Sequence, residues 1–138
     1  MKYLLDTNAC IAIINGEPAS VRAGLQKASA QGAEIFVSVV SLFELQYGVA
    51  KSSKPEFNQK RLATFLAGPI VVLPFDDAGA KEAGSIRAAL EVVGKPIGAY
   101  DLLIAGQARN GQFTVVTSDV SEFSRVKGLN WQNWETGA

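Results

Sequence analysis

Short apolar, β-rich runs alternate with helical stretches along the whole chain, and this alternation restricts it to an α/β fold with a largely parallel sheet. Lys2 to Leu5, Glu34 to Ser38, Ile70 to Leu73 and Phe113 to Val116 read as strands, with a short fifth from Leu129 to Trp131. The segments between them carry helix signals. Thr7 or Asn8 is placed to cap a short helix ending near Asn15-Gly16, and Pro18 to open another running to Ala30. A third helix is expected from about Ser41 to Lys51, where Ser41 and Glu44 have capping-box spacing, and a fourth from Pro55 to Leu66. Asp76 or Asp77 precedes a long Ala-rich helix to Val93 that Gly94 stops, and Ala99 to Arg109 is closed by Asn110-Gly111. No repeat, low-complexity tract or linker interrupts the pattern, so residues 1–138 read as one domain.

Four carboxylates lie in or at the end of these apolar runs. Asp6 closes Tyr3-Leu4-Leu5, Glu44 sits inside Val39-Val40-Ser41-Leu42-Phe43-Glu44-Leu45, Asp101 precedes Leu102-Leu103-Ile104-Ala105, and Asp119 follows Phe113 to Ser118. Acidic side chains are rarely buried unless they are paired or coordinated. Asp6 and Asp119 fall just past the carboxyl ends of two strands, where sites form in open parallel sheets. Asp101 falls in the first turn of a helix. Each acid also has an ordinary structural reading: Asp6 and Asp119 as turn or cap residues, Glu44 as a helix-surface or capping-box residue, Asp101 as a complement to the helix dipole. Together they suit an all-oxygen site for a hard divalent cation, Mg²⁺ or Mn²⁺. Such an ion would neutralise the clustered charge, activate water and stabilise a phosphate under attack.

Composition narrows the chemistry further. The chain has no histidine, which removes Ser-His-Asp and Cys-His triads, histidine acid/base ribonuclease mechanisms and histidine-bound metals. Cys10 is the single cysteine, so no intramolecular disulfide or cysteine-rich zinc site can form, and packing is its expected role. Lys and Arg (13) balance Asp and Glu (13), so any RNA contact must come from local patches. Lys51, Lys54, Lys60 and Arg61 form one such stretch, which equally suits a solvated helix face. Arg87 has RNA, a partner or a neighbouring acid open to it. Trp131 and Trp134 are suited to base stacking or to sealing a small core. No signal-peptide pattern and no apolar run near membrane-spanning length is present, so a soluble, cytoplasmic protein without membrane contact is expected.

Four segments in order resemble the PIN-domain ribonucleases, specifically the VapC toxins of bacterial toxin–antitoxin pairs. They are Met1-Lys2-Tyr3-Leu4-Leu5-Asp6-Thr7-Asn8, Ser41-Leu42-Phe43-Glu44-Leu45-Gln46-Tyr47-Gly48, Gly94-Lys95-Pro96-Ile97-Gly98-Ala99-Tyr100-Asp101 with Leu102 to Ala105, and Thr117-Ser118-Asp119 with Glu122-Phe123 and Val126 to Leu129. The resemblance spans essentially the whole chain. It implies a three-layer α/β/α sandwich with a mainly parallel central sheet, Mg²⁺ or Mn²⁺ dependence, and endonucleolytic cleavage of RNA leaving a 3′-hydroxyl and a 5′-phosphate. Carried over by position, Asp6, Glu44, Asp101 and Asp119 form the catalytic, metal-binding quartet, with Asn8 and Thr117 in support. A homodimer and a VapB-type antitoxin that blocks the active site are also implied, with operator DNA contacted through the antitoxin. Pro96 to Asp101 resembles the subgroup that cleaves initiator tRNA in the anticodon stem-loop, although that subgroup often carries Asn-Asn where this chain has Ser118-Asp119.

Two other functions compete. Asp6-Thr7-Asn8 after a first strand is similar to the nucleophile segment of haloacid-dehalogenase-like phosphatases, but these need a second Asp at position 8, where this chain has Asn. A PIN-like fold can also persist as a catalytically silent binding module. Carboxylate-dependent binding of Mg²⁺ or Mn²⁺ separates that module from an enzyme.

Overall fold

The computed structural model describes residues 1–137. Its elements follow the order β1 (Lys2–Leu5), α1 (Thr7–Asn15), α2 (Ala19–Ala30), β2 (Glu34–Ser38), α3 (Val39–Lys51), α4 (Pro55–Leu66), β3 (Val71–Leu73), α5 (Asp77–Val92), α6 (Ala99–Gly111), β4 (Thr114–Val116), α7 (Val120–Phe123) and β5 (Asn130–Gln132). The five strands form one parallel sheet in the order β3-β2-β1-β4-β5. Tyr3 on β1 aligns with Ile35 on β2 and with Thr114 on β4. The chain builds the sheet outward from β1 to β3, then returns to the other side of β1. The topological switch therefore falls between β1 and β4, where open α/β sheets form their crevice.

Burial of both sheet faces explains why the central strands read as near-continuous apolar runs. Successive side chains of β1 point to opposite faces. Tyr3 and Leu5 join Ile13, Leu25, Val37, Leu62 and Phe65 beneath α1, α2 and α4. Leu4 joins Ile86, Ile104, Ala105, Val115 and Phe123 beneath α5 and α6. The result is a helix–sheet–helix sandwich in which Leu4 and Leu5 are both fully buried. At 25 cal/mol per Å² of apolar surface removed from water, a buried leucine of this kind contributes about 2 kcal/mol. On one face α5 and α6 approach very closely, since a Cβ on Gly106 would lie 2.6 Å from that of Ala83. Arg109 Nε on α6 also donates to Glu82 Oε1 on α5 at 2.5 Å.

Several helix boundaries differ from those expected. Asp6, rather than Thr7 or Asn8, caps α1, and its Oδ1 accepts from Ala9 N at 2.7 Å. Ser38 caps α3, with Oγ accepting from Val40 N at 3.0 Å, so the helix starts before Ser41 and the Ser41–Glu44 capping box does not form. Helix α6 runs through Asn110-Gly111, and Gln112 ends it in the left-handed region at φ 57°. Asp76 caps α5 through Gly79 N at 2.9 Å. Among the described residues no helix is long and apolar enough to cross a membrane. Cys10 is fully buried in the core, and burial pushes its thiol pKa up. Both tryptophans pack on the core, with Trp134 edge-on to Tyr3 at 5.3 Å between ring centroids. Arg87 pairs with Glu91 one helical turn on, at 3.2 Å.

Candidate active site

Asp6 stands at the carboxyl end of β1, with its backbone N–H donating to Val116 O on β4 at 3.0 Å. The residue after β4 is Thr117, so the switch in strand order brings Asp6 and Thr117 together across 110 residues of sequence. The side chain of Asp6 is only 2% exposed. Burial is the main reason its pKa is pushed up from 3.8 to about 6. A hydrogen bond from Thr117 and the Ala9 N–H oppose that rise, while the charges of Asp119 and Glu44 add to it. Thr117 is itself buried and accepts from Asp119 N at 2.8 Å. Its hydroxyl thus links the carboxylate ending β1 to the turn after β4.

Glu44 reaches the same edge from α3. Thr7 Oγ1 donates to Glu44 Oε1 at 2.6 Å and lies 3.0 Å from Ser41 Oγ. The first turn of α1 therefore holds Glu44 on the site side of α3. The early start of α3 makes this possible by carrying Ser41 into the buried interior of the helix.

A second group of acids faces Asp6. Gly98 opens α6 and places Asp101 in its first turn, half-buried. Asp119 precedes the one-turn α7, and its side chain makes no cap hydrogen bond; instead Asp119 Oδ1 accepts from Ser121 Oγ at 3.1 Å. Glu122, three residues on, lies on the same side of α7. Asp101, Asp119 and Glu122 each offer a carboxylate oxygen, and these oxygens all lie within 4.8 Å of one another. The Asp101 pKa is raised to about 7, first by burial, then by a hydrogen bond with Glu122 and by the charges of Glu122, Asp6 and Asp119.

The structure thus gathers Asp6, Glu44, Asp101 and Asp119, with Thr117 between the two strand ends. Asn8 does not join them. With α1 starting at Thr7, the second helical position turns outward, and Asn8 is exposed with a side chain that makes no hydrogen bond among the described residues. Thr7 holds Glu44 instead. Glu122 and Thr7 are additions to the roles assigned from the sequence; Glu122 lay within the fourth resembling segment, and its i,i+3 spacing from Asp119 was a second signal. The donor set is carboxylate and hydroxyl oxygen throughout, and the pKa values of Asp6 and Asp101 are raised first by burial and then by the neighbouring negative charges. That chemistry fits a hard divalent cation.

The family profile described as PIN domain matches residues 3–129. The chain belongs to the PIN-domain family. A relative from Shigella flexneri, named tRNA(fMet)-specific endonuclease VapC, is 41% identical over 134 residues, covering 97% of this chain and 98% of the relative. Ribonuclease VapC2 from Rickettsia felis is 40% identical over 98% of this chain and 99% of its own length. The crystal structure of VapBC2 from Rickettsia felis bound to a DNA fragment from their promoter contains a chain that superposes with a TM-score of 0.91. That match is 40% identical and covers 97% of this chain and 99% of the other. PIN domains are divalent-metal-dependent nucleases, in agreement with the oxygen-only donor set.

Proposed function

We infer that this PIN-domain protein is a VapC-type toxin, an endoribonuclease that hydrolyses RNA phosphodiester bonds with a divalent cation. The observation that carries the reading is the convergence of Asp6, Glu44, Asp101 and Asp119 at the β1/β4 switch, supported by near full-length similarity to ribonucleases of this type. We assign these four acids to metal binding and catalysis, add Glu122 to the ligand set, and give Thr117 and Thr7 positioning roles. Asn8 keeps a supporting assignment: its exposed side chain borders Thr117 and Ser118 in the lining of a small cavity. Residues 1–138 are read as one PIN domain.

Bound Mg²⁺ or Mn²⁺ would acidify water and stabilise negative charge on the scissile phosphate. The protein's own contribution is to fix the ligands before substrate arrives. Asp6 is held through its cap to Ala9 and its bond from Thr117, Glu44 through Thr7, and Asp119 through its backbone bond to Thr117. Asp101 and Glu122 share a hydrogen bond, and a bound cation would neutralise their charge. No side-chain nucleophile is needed, and the site offers none.

The resemblance and the Shigella flexneri relative support initiator tRNA as substrate, and an RNA target places the reaction in the cytoplasm. The Rickettsia felis VapBC2 complex supports a VapB-type antitoxin as partner, with operator DNA engaged through it, and the family supports a homodimer. The test is cleavage of total tRNA by purified protein with Mg²⁺ or Mn²⁺, alongside EDTA and Asp101→Ala controls. Discrete fragments that vanish in both controls are expected, and mapping their ends identifies the RNA. Intact tRNA in the presence of active metal would remove the initiator-tRNA assignment. Absence of carboxylate-dependent metal binding would leave a silent binding module.

A further inference from the structure

Three aromatic side chains lie exposed beside the carboxylates. Phe43, Tyr47 and Tyr100 are 56%, 60% and 45% exposed, whereas Tyr3, Phe65, Phe113 and Phe123 are buried. Phe43 is the sequence neighbour of Glu44, and Tyr100 of Asp101. Across α3 and α6 their rings meet edge to face, with centroids 5.7 Å apart and planes at 67°. Phe43, Tyr47 and Lys51 follow at four-residue intervals and so share one stripe of α3. At the far end of the stripe, Lys51 Nζ sits 4.9 Å over the Tyr47 ring. Aromatic surface thus starts at the acids and leads to a cation.

We propose that Phe43, Tyr47 and Tyr100 form a stacking platform for unpaired bases of the RNA beside the cut phosphate, with Lys51 meeting the backbone. This assignment rests on the ribonuclease reading and extends it to the substrate's form. Flat exposed rings take a base by its π-face whatever its identity, and alternation with a basic side chain is the usual composition of single-strand binding surfaces. Bases within a duplex have no free face to offer. The platform therefore selects a loop or other single-stranded segment and positions it for cleavage. A contact between copies of the chain fits less well, because lysine is depleted from the cores of such interfaces, and here its ammonium lies directly on the stripe.

The test uses full-length Asp101→Asn protein, so that RNA is bound without being consumed, and an RNA hairpin carrying 2-aminopurine in its loop, with Mg²⁺ present. Stacking should quench the fluorophore. Tyr100→Ser and the double variant Phe43→Ser, Tyr47→Ser should each lose the quenching and bind the hairpin about tenfold more weakly or worse, the loss of roughly one stacked base. Phe43→Trp and Tyr47→Phe should retain both, which separates stacking from misfolding. Unchanged quenching and affinity in the serine variants would overturn the platform. So would a change of oligomeric state by sedimentation in the same variants, which would assign the surface to contact between copies. A parent that binds without quenching also overturns it, and tRNA cleavage by the unsubstituted protein then shows that the ribonuclease reading survives.

Discussion

Asp6 and Asp101 face each other across one site, yet they are held in different ways. Asp6 is anchored twice, through the N-cap to Ala9 and the hydroxyl of Thr117, and is almost wholly buried. Asp101 is half-buried, with its main partner another acid, Glu122. The first carboxylate is built into the fold, part of the joint between strand and helix. The second is placed by the fold but left in electrostatic conflict, which a cation relieves. One acid can thus serve structure and chemistry together, and the cap reading of Asp6 does not compete with the ligand role proposed for it.

The sharpest way to break this contrast is to change charge and cap separately. Asp6→Asn and Asp101→Asn should both reduce RNA cleavage to background, since each removes a ligand charge. Alanine should then separate them. Asp6→Ala loses the acceptor for Ala9 and should be about 1 kcal/mol less stable than Asp6→Asn in metal-free urea unfolding. Asp101→Ala and Asp101→Asn should differ by less than the Asp6 pair, as Asp101 caps nothing and its hydrogen-bond partner is the half-buried Glu122. Equal stability of the two Asp6 variants would show that the cap contributes little.

Smaller in effect, Thr117→Val removes the hydroxyl that joins Asp6 to the Asp119 backbone. Metal affinity should fall about 10- to 100-fold by Mn²⁺ titration, the usual loss when a supporting hydrogen bond to a ligand is deleted. Thr117→Ser should restore most of it. A valine variant of undiminished affinity would show that burial alone orients Asp6.

A pH effect sharpens the same comparison without changing a residue. Asp6 holds its proton more tightly when folded, at about 6 against 3.8, so the metal-free protein should lose stability as pH rises from about 4 to about 7. The upper limit is about 3 kcal/mol for a shift of this size. Asp101, raised to about 7, acts in the same direction. Urea unfolding at pH 5 and pH 7.5 measures the difference, and saturating Mg²⁺ should flatten it. A metal-free protein more stable at pH 7.5 would contradict the raised pKa values of these two acids.

The strands were legible because burial on both faces leaves a continuous apolar signature. Lys2–Leu5 and Glu34–Ser38 match their expected bounds, and Val71–Leu73 and Thr114–Val116 are each one residue shorter than expected. Other features were harder to read because one residue can satisfy several local patterns. Ser41 carries a capping-box motif with Glu44, but Ser38 caps first and pulls Ser41 inside the helix. Asn8 follows the first acid, yet with α1 starting at Thr7 its side chain is exposed and bonds to none of the acids among the described residues. Glu122 lay in a recognised segment but gained significance only when α7 brought it to Asp101. Spacing within an element was readable. Meetings between elements distant in sequence, such as Thr7 with Glu44, depend on packing that no local pattern encodes.

The position of β4 also has a consequence during synthesis. Asp6 and Glu44 emerge early from the ribosome, but Asp101, Thr117, Asp119 and Glu122 all lie in the last third of the chain, and β4 must dock against β1 before Thr117 can reach Asp6. Contacts of such long sequence separation form late. A nascent chain therefore has no assembled acidic site until β4 has been made and has docked beside β1.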